Sequence, residues 1–188
     1  MISKEEVKRN LLGCFEIFLF MPRGLSRFEA DSGRMLRSFI IPLVMMPFIL
    51  VIVVGMFPEF PASLIASLTV LRTVLAAALF FGAVFFMARQ LDRQEHFYRF
   101  LIVANWTNIN GIIFVLPILI GLFLGRDAST FEAYAVFSEL VGYVYGAFIL
   151  TYCFRIPWEI GGFLAVISLA INQNLWEVTD YLRDSALL

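Results

Sequence analysis

Two ionisable residues, Arg72 and Glu139, sit inside long apolar runs of this chain. A charge in a bilayer costs about 3 kcal/mol on insertion scales, so each needs a partner or polar surroundings. Arg72 lies ten residues into its run and Glu139 six into its own. At a rise of about 1.5 Å per residue the two fall within roughly one helical turn of each other in depth. An Arg72–Glu139 ion pair bridging two helices is therefore expected. Such a pair could fix helix packing or serve a substrate or proton-coupling site, while Arg72 alone could snorkel to the interface.

Ser138, Gly142 and Gly146 recur at intervals of four beside Glu139, a ladder that lets helices approach closely. A second polar group is Asn105-Trp106-Thr107-Asn108-Ile109-Asn110. Asn105 and Asn108 share one helical face, and Thr107 and Asn110 share another with Gly111. These side chains could bond between helices or line a polar ligand cavity. Pro42, Pro47 and Pro117 free backbone carbonyls that could line such a cavity or simply kink their helices.

Other chemistry has little to work with. His96 is the single histidine and lies beside Arg93 and Glu95, so no histidine pair for a metal and no Ser–His dyad can form. No phosphate-binding glycine loop, nucleophile elbow or metalloprotease motif occurs. No catalytic residue, metal or cofactor is expected, and the basic residues are explained by topology without nucleic acid. Cys14 and Cys153 fall on the side where thiols stay reduced, so no disulfide is expected. Cys14 is either a small apolar residue or an acylation site near the membrane.

The elements that must hold these residues are helices in a bilayer. Apolar residues make up 61% of the chain and charged residues 15%, against roughly 45–50% and about 25% in soluble domains. The apolar residues are gathered in blocks of bilayer length, at residues 38–57, 62–88, 100–124, 133–154 and 159–175. Pro58 and Pro61 make a tight turn between the first two, and Asn172, Gln173 and Asn174 shorten the fifth. Residues 1–37 read as an amphipathic segment, too long and too acidic for a cleaved signal. Its helix has Val7, Leu11, Phe15, Phe18 and Leu19 at helical spacing, is broken by Pro22 and Gly24, and either lies on the inner membrane surface or packs under the bundle. Ser3 and Glu6 form a possible capping box, and Asp31 or Ser32 a cap before the first span. Residues 176–188 read as a polar tail.

The fourteen Lys and Arg residues orient this layout. Seven lie in residues 1–37, three are Arg89, Arg93 and Arg99, and one is Arg155. Only Arg126 and Arg183 flank the opposite side. Basic residues are retained inside, so the N-terminus is expected in the cytoplasm and the C-terminus outside, which requires an odd number of spans. A four-span alternative leaves the last segment on the surface. The expected fold is an all-α membrane protein with five transmembrane helices after a cytoplasmic amphipathic helix.

The run from Phe28 to Phe39, with Asp31, Ser32, Gly33 and Ser38, and the run from Tyr98 through Asn105-Trp106 lead into the first and third spans. With the five closely spaced helices they resemble the Yip-domain family of Ypt/Rab-interacting membrane proteins, including its small bacterial members. The long acidic, proline-containing N-terminal region of the eukaryotic trafficking members has no counterpart in this sequence. The resemblance therefore implies the five-helix fold, while this departure weighs against a Rab-type GTPase partner. The expected function is non-enzymatic: organising the bilayer, or binding a partner membrane protein or further copies of itself, in a bacterial inner membrane. The alternative is a small oligomeric transporter or channel using Arg72, Glu139 and the span-three asparagines.

Overall fold

The computed structural model describes residues 3–186, which are helical apart from short connections. The outermost residues of the N-terminal segment and of the tail, 1–2 and 187–188, lie outside the described residues. The order is α1 (Lys4–Phe18), a 3-10 helix (Pro22–Arg27), α2 (Ser32–Ser38), α3 (Ile40–Met56), α4 (Ala62–Gln90), α5 (Phe97–Phe123), α6 (Glu132–Phe154) and α7 (Trp158–Ser185).

The helix boundaries have local causes. Ser3 Oγ accepts from Glu6 N at 3.1 Å and starts α1. Glu6 turns its carboxylate towards Arg37, 3.7 Å away, so that the first half of the capping box is made and its acid serves α2 instead. Asp31 Oδ1 accepts from Arg34 N at 2.8 Å and starts α2. Pro42 has no N–H to offer the Ser38 carbonyl, and the chain breaks helix at Phe39 between α2 and α3. α1, α4 and α5 all end in the same paired bonds: Met21 N to Glu16 O, Arg93 N to Ala88 O and Arg126 N to Gly121 O, each followed by an inner bond. The left-handed residue such an end requires is Gly125 after α5, but Phe20 after α1 and Asp92 after α4. Phe20 pays for that conformation by stacking its ring 4.6 Å from Tyr145.

Four helical stretches are long and apolar enough to cross a membrane: Ser32–Met56, Ala62–Gln90, Gln94–Phe123 and Ser129–Phe154. α7 falls short of that apolarity yet runs alongside them from end to end. Its Gly161 packs on Thr151 and Ala147 near the end of α6, and its Arg183 reaches the rings of Phe57 and Phe60 beside the α3–α4 turn. Asn172, Gln173 and Asn174 do not stop it at 175, because Asn172 and Asn174 donate to the carbonyls of Ser168 and Ala170 one turn back. The tail expected at 176–188 is helix as far as Ser185.

Successive neighbours in space close a ring, α3–α4–α7–α6–α5 and back to α3. One end of the ring carries the α4–α5 and α6–α7 connections with Arg89, Arg93, Arg99 and Arg155, and is called here the basic end. The core lies there: Val84, Ala88, Phe100, Val103, Trp106, Leu150, Phe154 and Leu164 are all buried. Phe100 is at its centre, within ring contact of Phe80, Phe81, Phe97 and Phe154. Towards the other end burial falls away, and α3 buries no residue at all.

The N-terminal segment is built onto this core. α1 buries Asn10, Gly13, Cys14, Glu16 and Ile17 and exposes Leu11, Leu12, Phe15 and Leu19. Asn110 Nδ2 donates to Cys14 O at 3.1 Å, and Tyr145 OH donates to Phe18 O. Asn110 is about 20 Å from the start of α5, so the last turn of α1 reaches halfway along that helix. Of the two arrangements expected for the helix of residues 1–37, the C-terminal turn adopts packing on the bundle, wedged between α5 and α6.

Candidate functional site

Between α4, α5 and α6, beyond the aromatic core, lies a partly open cavity of about 450 Å³. Phe80, Phe100 and Ile149 form its floor; Thr107, Asn108 and Gly111 of α5 face Ser138, Glu139, Gly142 and Gly146 of α6. The room comes from the glycines. A Cβ added at Gly111, Gly142 or Gly146 would meet nothing within 4 Å. The Ser138–Gly142–Gly146 ladder therefore opens onto a chamber, where the sequence pattern suggested a close helix contact. Close approach is made elsewhere, at Gly161 on α6 and between Gly13 and Gly24.

The hydrogen bonds of the wall decide its chemistry. Thr107 Oγ1 donates to Val103 O at 2.8 Å, Asn108 Nδ2 to Ala104 O at 3.0 Å, and Ser138 Oγ to Tyr134 O at 2.8 Å. Tyr143 OH donates to Glu139 Oε1 at 3.0 Å. The wall is mostly apolar; with these donors committed to their own helices and those of Asn110 and Tyr145 to α1, its few polar atoms are chiefly acceptor oxygens, with the carboxylate of the exposed Glu139 among them. It suits an occupant that brings donors and positive charge.

Arg72 is not that partner. Among the described residues no carboxylate lies within 4 Å of Arg72 and no basic group within 4 Å of Glu139. The guanidinium of Arg72 lies 4.0 Å from the Trp176 ring, in a small cleft shared with Thr69, Thr179, Asp180 and Arg183. Arg72 and Glu139 make no direct contact, although the Glu139 charge still reaches Arg72; α7 stands beside α4 and supplies the nearer partners, the Trp176 ring and Asp180.

The asparagines divide in the same way. Asn105 is buried and donates to Ser38 Oγ at 2.8 Å, while Asn108, three residues on, lines the chamber. Asn110 both lines the chamber and holds α1. Ser38 also donates to Met35 O at 2.7 Å, so Asn105→Leu leaves its hydroxyl satisfied. That replacement is expected to cost only about 1 kcal/mol in thermal unfolding, near the usual value for bonds between helices in lipid.

Tyr143, Tyr145, Phe80 and Phe100 belong to the site although residue type alone did not mark them. The spacing of Tyr143 four residues after Glu139 was the available signal for one of them. Among the described residues no group of three His, Cys, Asp or Glu is placed to hold a metal ion. Cys14 is buried at 2% exposure and desolvation pushes its thiol up to about 12, which leaves it a poor nucleophile for acylation. No protein-family model, curated protein or solved structure matches the chain.

Proposed function

We propose that this is a non-enzymatic, five-span integral membrane protein that binds a small cationic, donor-bearing solute in the chamber between α4, α5 and α6. This is the binding step of a small transporter, and the observation that carries it is the single Glu139 carboxylate among acceptor oxygens in a cavity opened by glycines. The N-terminus lies in the cytoplasm, α7 is the fifth crossing, and the C-terminus is outside, in a bacterial inner membrane. The charge bias supports this orientation. The length of α7 supports the fifth crossing, about 42 Å at the usual rise. α1 enters the cytoplasmic leaflet with Leu11, Leu12, Phe15 and Leu19 towards lipid. The Yip-like layout agrees with the same five-helix fold. The aromatic floor closes the chamber at the basic end, so passage of a solute requires that floor to move.

The purified chain in neutral detergent tests the reading by thermal shift with methylammonium, ethanolamine and guanidinium chlorides against sodium acetate and glycerol. At least one organic cation is expected to raise the midpoint. Glu139→Gln is expected to weaken that cation's binding at least about tenfold. The paired Gly142→Leu and Gly146→Leu changes are expected to abolish it while leaving the ligand-free midpoint nearly unchanged, because their side chains enter open space. Shifts that are absent, or that survive in both variants, would overturn the proposal.

The second reading, an organiser that binds a partner membrane protein or another copy of itself, has one observation in its favour. α3 exposes Leu43, Val44, Phe48 and Val51 and buries nothing. Stoichiometric capture of one protein from the native membrane, lost on Val44→Ala with Phe48→Ala and kept in Glu139→Gln, would favour it.

A further inference from the structure

At the basic end, the α4–α5 and α6–α7 connections meet. The Phe100 and Phe154 rings, 5.4 Å apart, set Arg99 at the start of α5 beside Arg155 at the end of α6, and Arg93 precedes His96 by three residues; all three arginines act on the charge of His96. Glu95 is the carboxylate nearest this group, and its Oε1 is 3.3 Å from His96 Nε2. No described carboxylate lies within 4 Å of any of the three arginines. Several basic residues elsewhere do have acid partners: Arg9 and Arg34 meet Glu29, Arg23 and Arg27 meet Glu16, Arg37 meets Glu6, and Arg183 meets Asp180 and Asp184.

We infer that Arg93, Arg99 and Arg155 form a binding site for the phosphate of an anionic lipid headgroup. Three arginines around one exposed carboxylate, Glu95, leave an excess of positive charge, and a phosphate relieves their repulsion while accepting their forked donors. Two further observations support the site. Arg99 Nε is buried and has no acceptor among the described residues, so its stem is already fixed and little side-chain freedom remains to be lost on binding. Arg155 is set in the left-handed conformation at the end of α6, which turns the chain directly before Pro157.

The surroundings select a lipid. Tyr152 and Trp158 flank Arg155 in sequence, stand edge to face 6.2 Å apart and are 41% and 46% exposed. Exposed Tyr and Trp of this kind mark the headgroup level of a bilayer, with hydrocarbon on one side and water on the other. A phosphate bound beside them has its acyl chains along the apolar flank of α6. Asp92, Glu95 and Glu159 are the nearby acids in sequence, and Glu95, whose side chain is largely exposed, lies against His96.

The test uses the full chain in neutral detergent, with thermal midpoints recorded during titration with short-chain phosphatidylglycerol, phosphatidylcholine and inorganic phosphate. Phosphatidylglycerol alone is expected to stabilise. Arg99→Gln and Arg155→Gln are each expected to weaken its apparent affinity about fivefold, the effect of roughly one kcal/mol per basic residue near a membrane surface. Arg89→Gln is the control, since Arg89 is exposed on α4 and does not act on His96. Equal weakening by Arg89→Gln would reduce the site to general surface charge and overturn the inference, as would equal stabilisation by phosphatidylcholine. Stabilisation by inorganic phosphate at similar concentration keeps the phosphate site and overturns the lipid. Arg99→Lys and Arg155→Lys, which keep charge and lose the fork, are expected to retain partial affinity and serve if the glutamine variants do not fold.

Discussion

Gly161→Ala is expected to destabilise the protein by about 3 kcal/mol, while Gly162→Ala leaves it unchanged within about 0.5 kcal/mol. A Cβ at Gly161 would stand 2.2 Å from Thr151 Oγ1 and 2.9 Å from the Ala147 carbonyl; at Gly162 it would meet nothing within 4 Å. Thr151 could rotate away, but the Ala147 carbonyl belongs to the α6 backbone and moves only with the helix. α6 and α7 share the most extensive helix contact in the bundle, so separating them disturbs Leu150, Phe154 and Leu164 of the core at once. Thr151 Oγ1 is itself buried without a hydrogen-bond partner among the described residues, and the glycine surface is what closes over it. Thermal unfolding of both variants in detergent checks the pair. Similar midpoints for the two would mean that α6 and α7 do not approach at Gly161.

Arg27→Met is expected to release α1 and to expose Cys14 to maleimide, with labelling at least about tenfold faster than in the parent chain. Glu16 is buried, and it accepts from Arg27 Nε at 2.6 Å and Nη2 at 2.7 Å. Removing Arg27 leaves that carboxylate with Arg23 alone, whose Nε is 3.3 Å away on a side chain 71% exposed. Arg23→Met is accordingly expected to have a small effect. The readout is native to the chain: the Cys14 carbonyl is one of the two docking acceptors of α1, and its thiol is shielded and protonated while α1 is docked. Cys153→Ser removes the second thiol from the assay.

The same pair sets a pH dependence. The Arg27 hydrogen bond holds the Glu16 carboxyl below the usual carboxylate range. Its contribution is then complete above the ordinary value of about 4.3 and is lost as pH falls through the depressed folded value. Docking of α1 should be constant from neutral pH to about pH 5 and loosen in stronger acid. Loosening near neutral pH would assign the docking to other groups.

Much of the helix layout was legible because its causes are local. The turn between Met56 and Ala62 follows from Pro58 and Pro61, and the caps at Ser3 and Asp31 from side chains that reach only three residues. The break after α1 was legible from Pro22 and Gly24, but not the way it ends at Phe18, since its left-handed residue is Phe20 and the stacking that supports it comes from Tyr145, far away in sequence. The end of α7 was also misplaced. Declining apolarity after residue 175 reads as a tail, but Trp176 and Arg183 find aromatic and cationic partners on α4 and the α3–α4 turn.

Within the site, Asn108, Asn110, Thr107 and Glu139 were marked by type, and they do line one chamber. The Arg72–Glu139 pair was not formed, because equal depth leaves the choice of neighbouring helix open. By itself the sequence determined an all-helical chain with membrane composition, its helix starts and its asymmetric charge, since periodicity, capping and hydropathy act within a turn or a span. Only the tertiary structure decided which polar side chains meet, that the glycine ladder faces a cavity, and that α1 wedges between α5 and α6. Those outcomes depend on the order of helices around the ring, which no local pattern encodes.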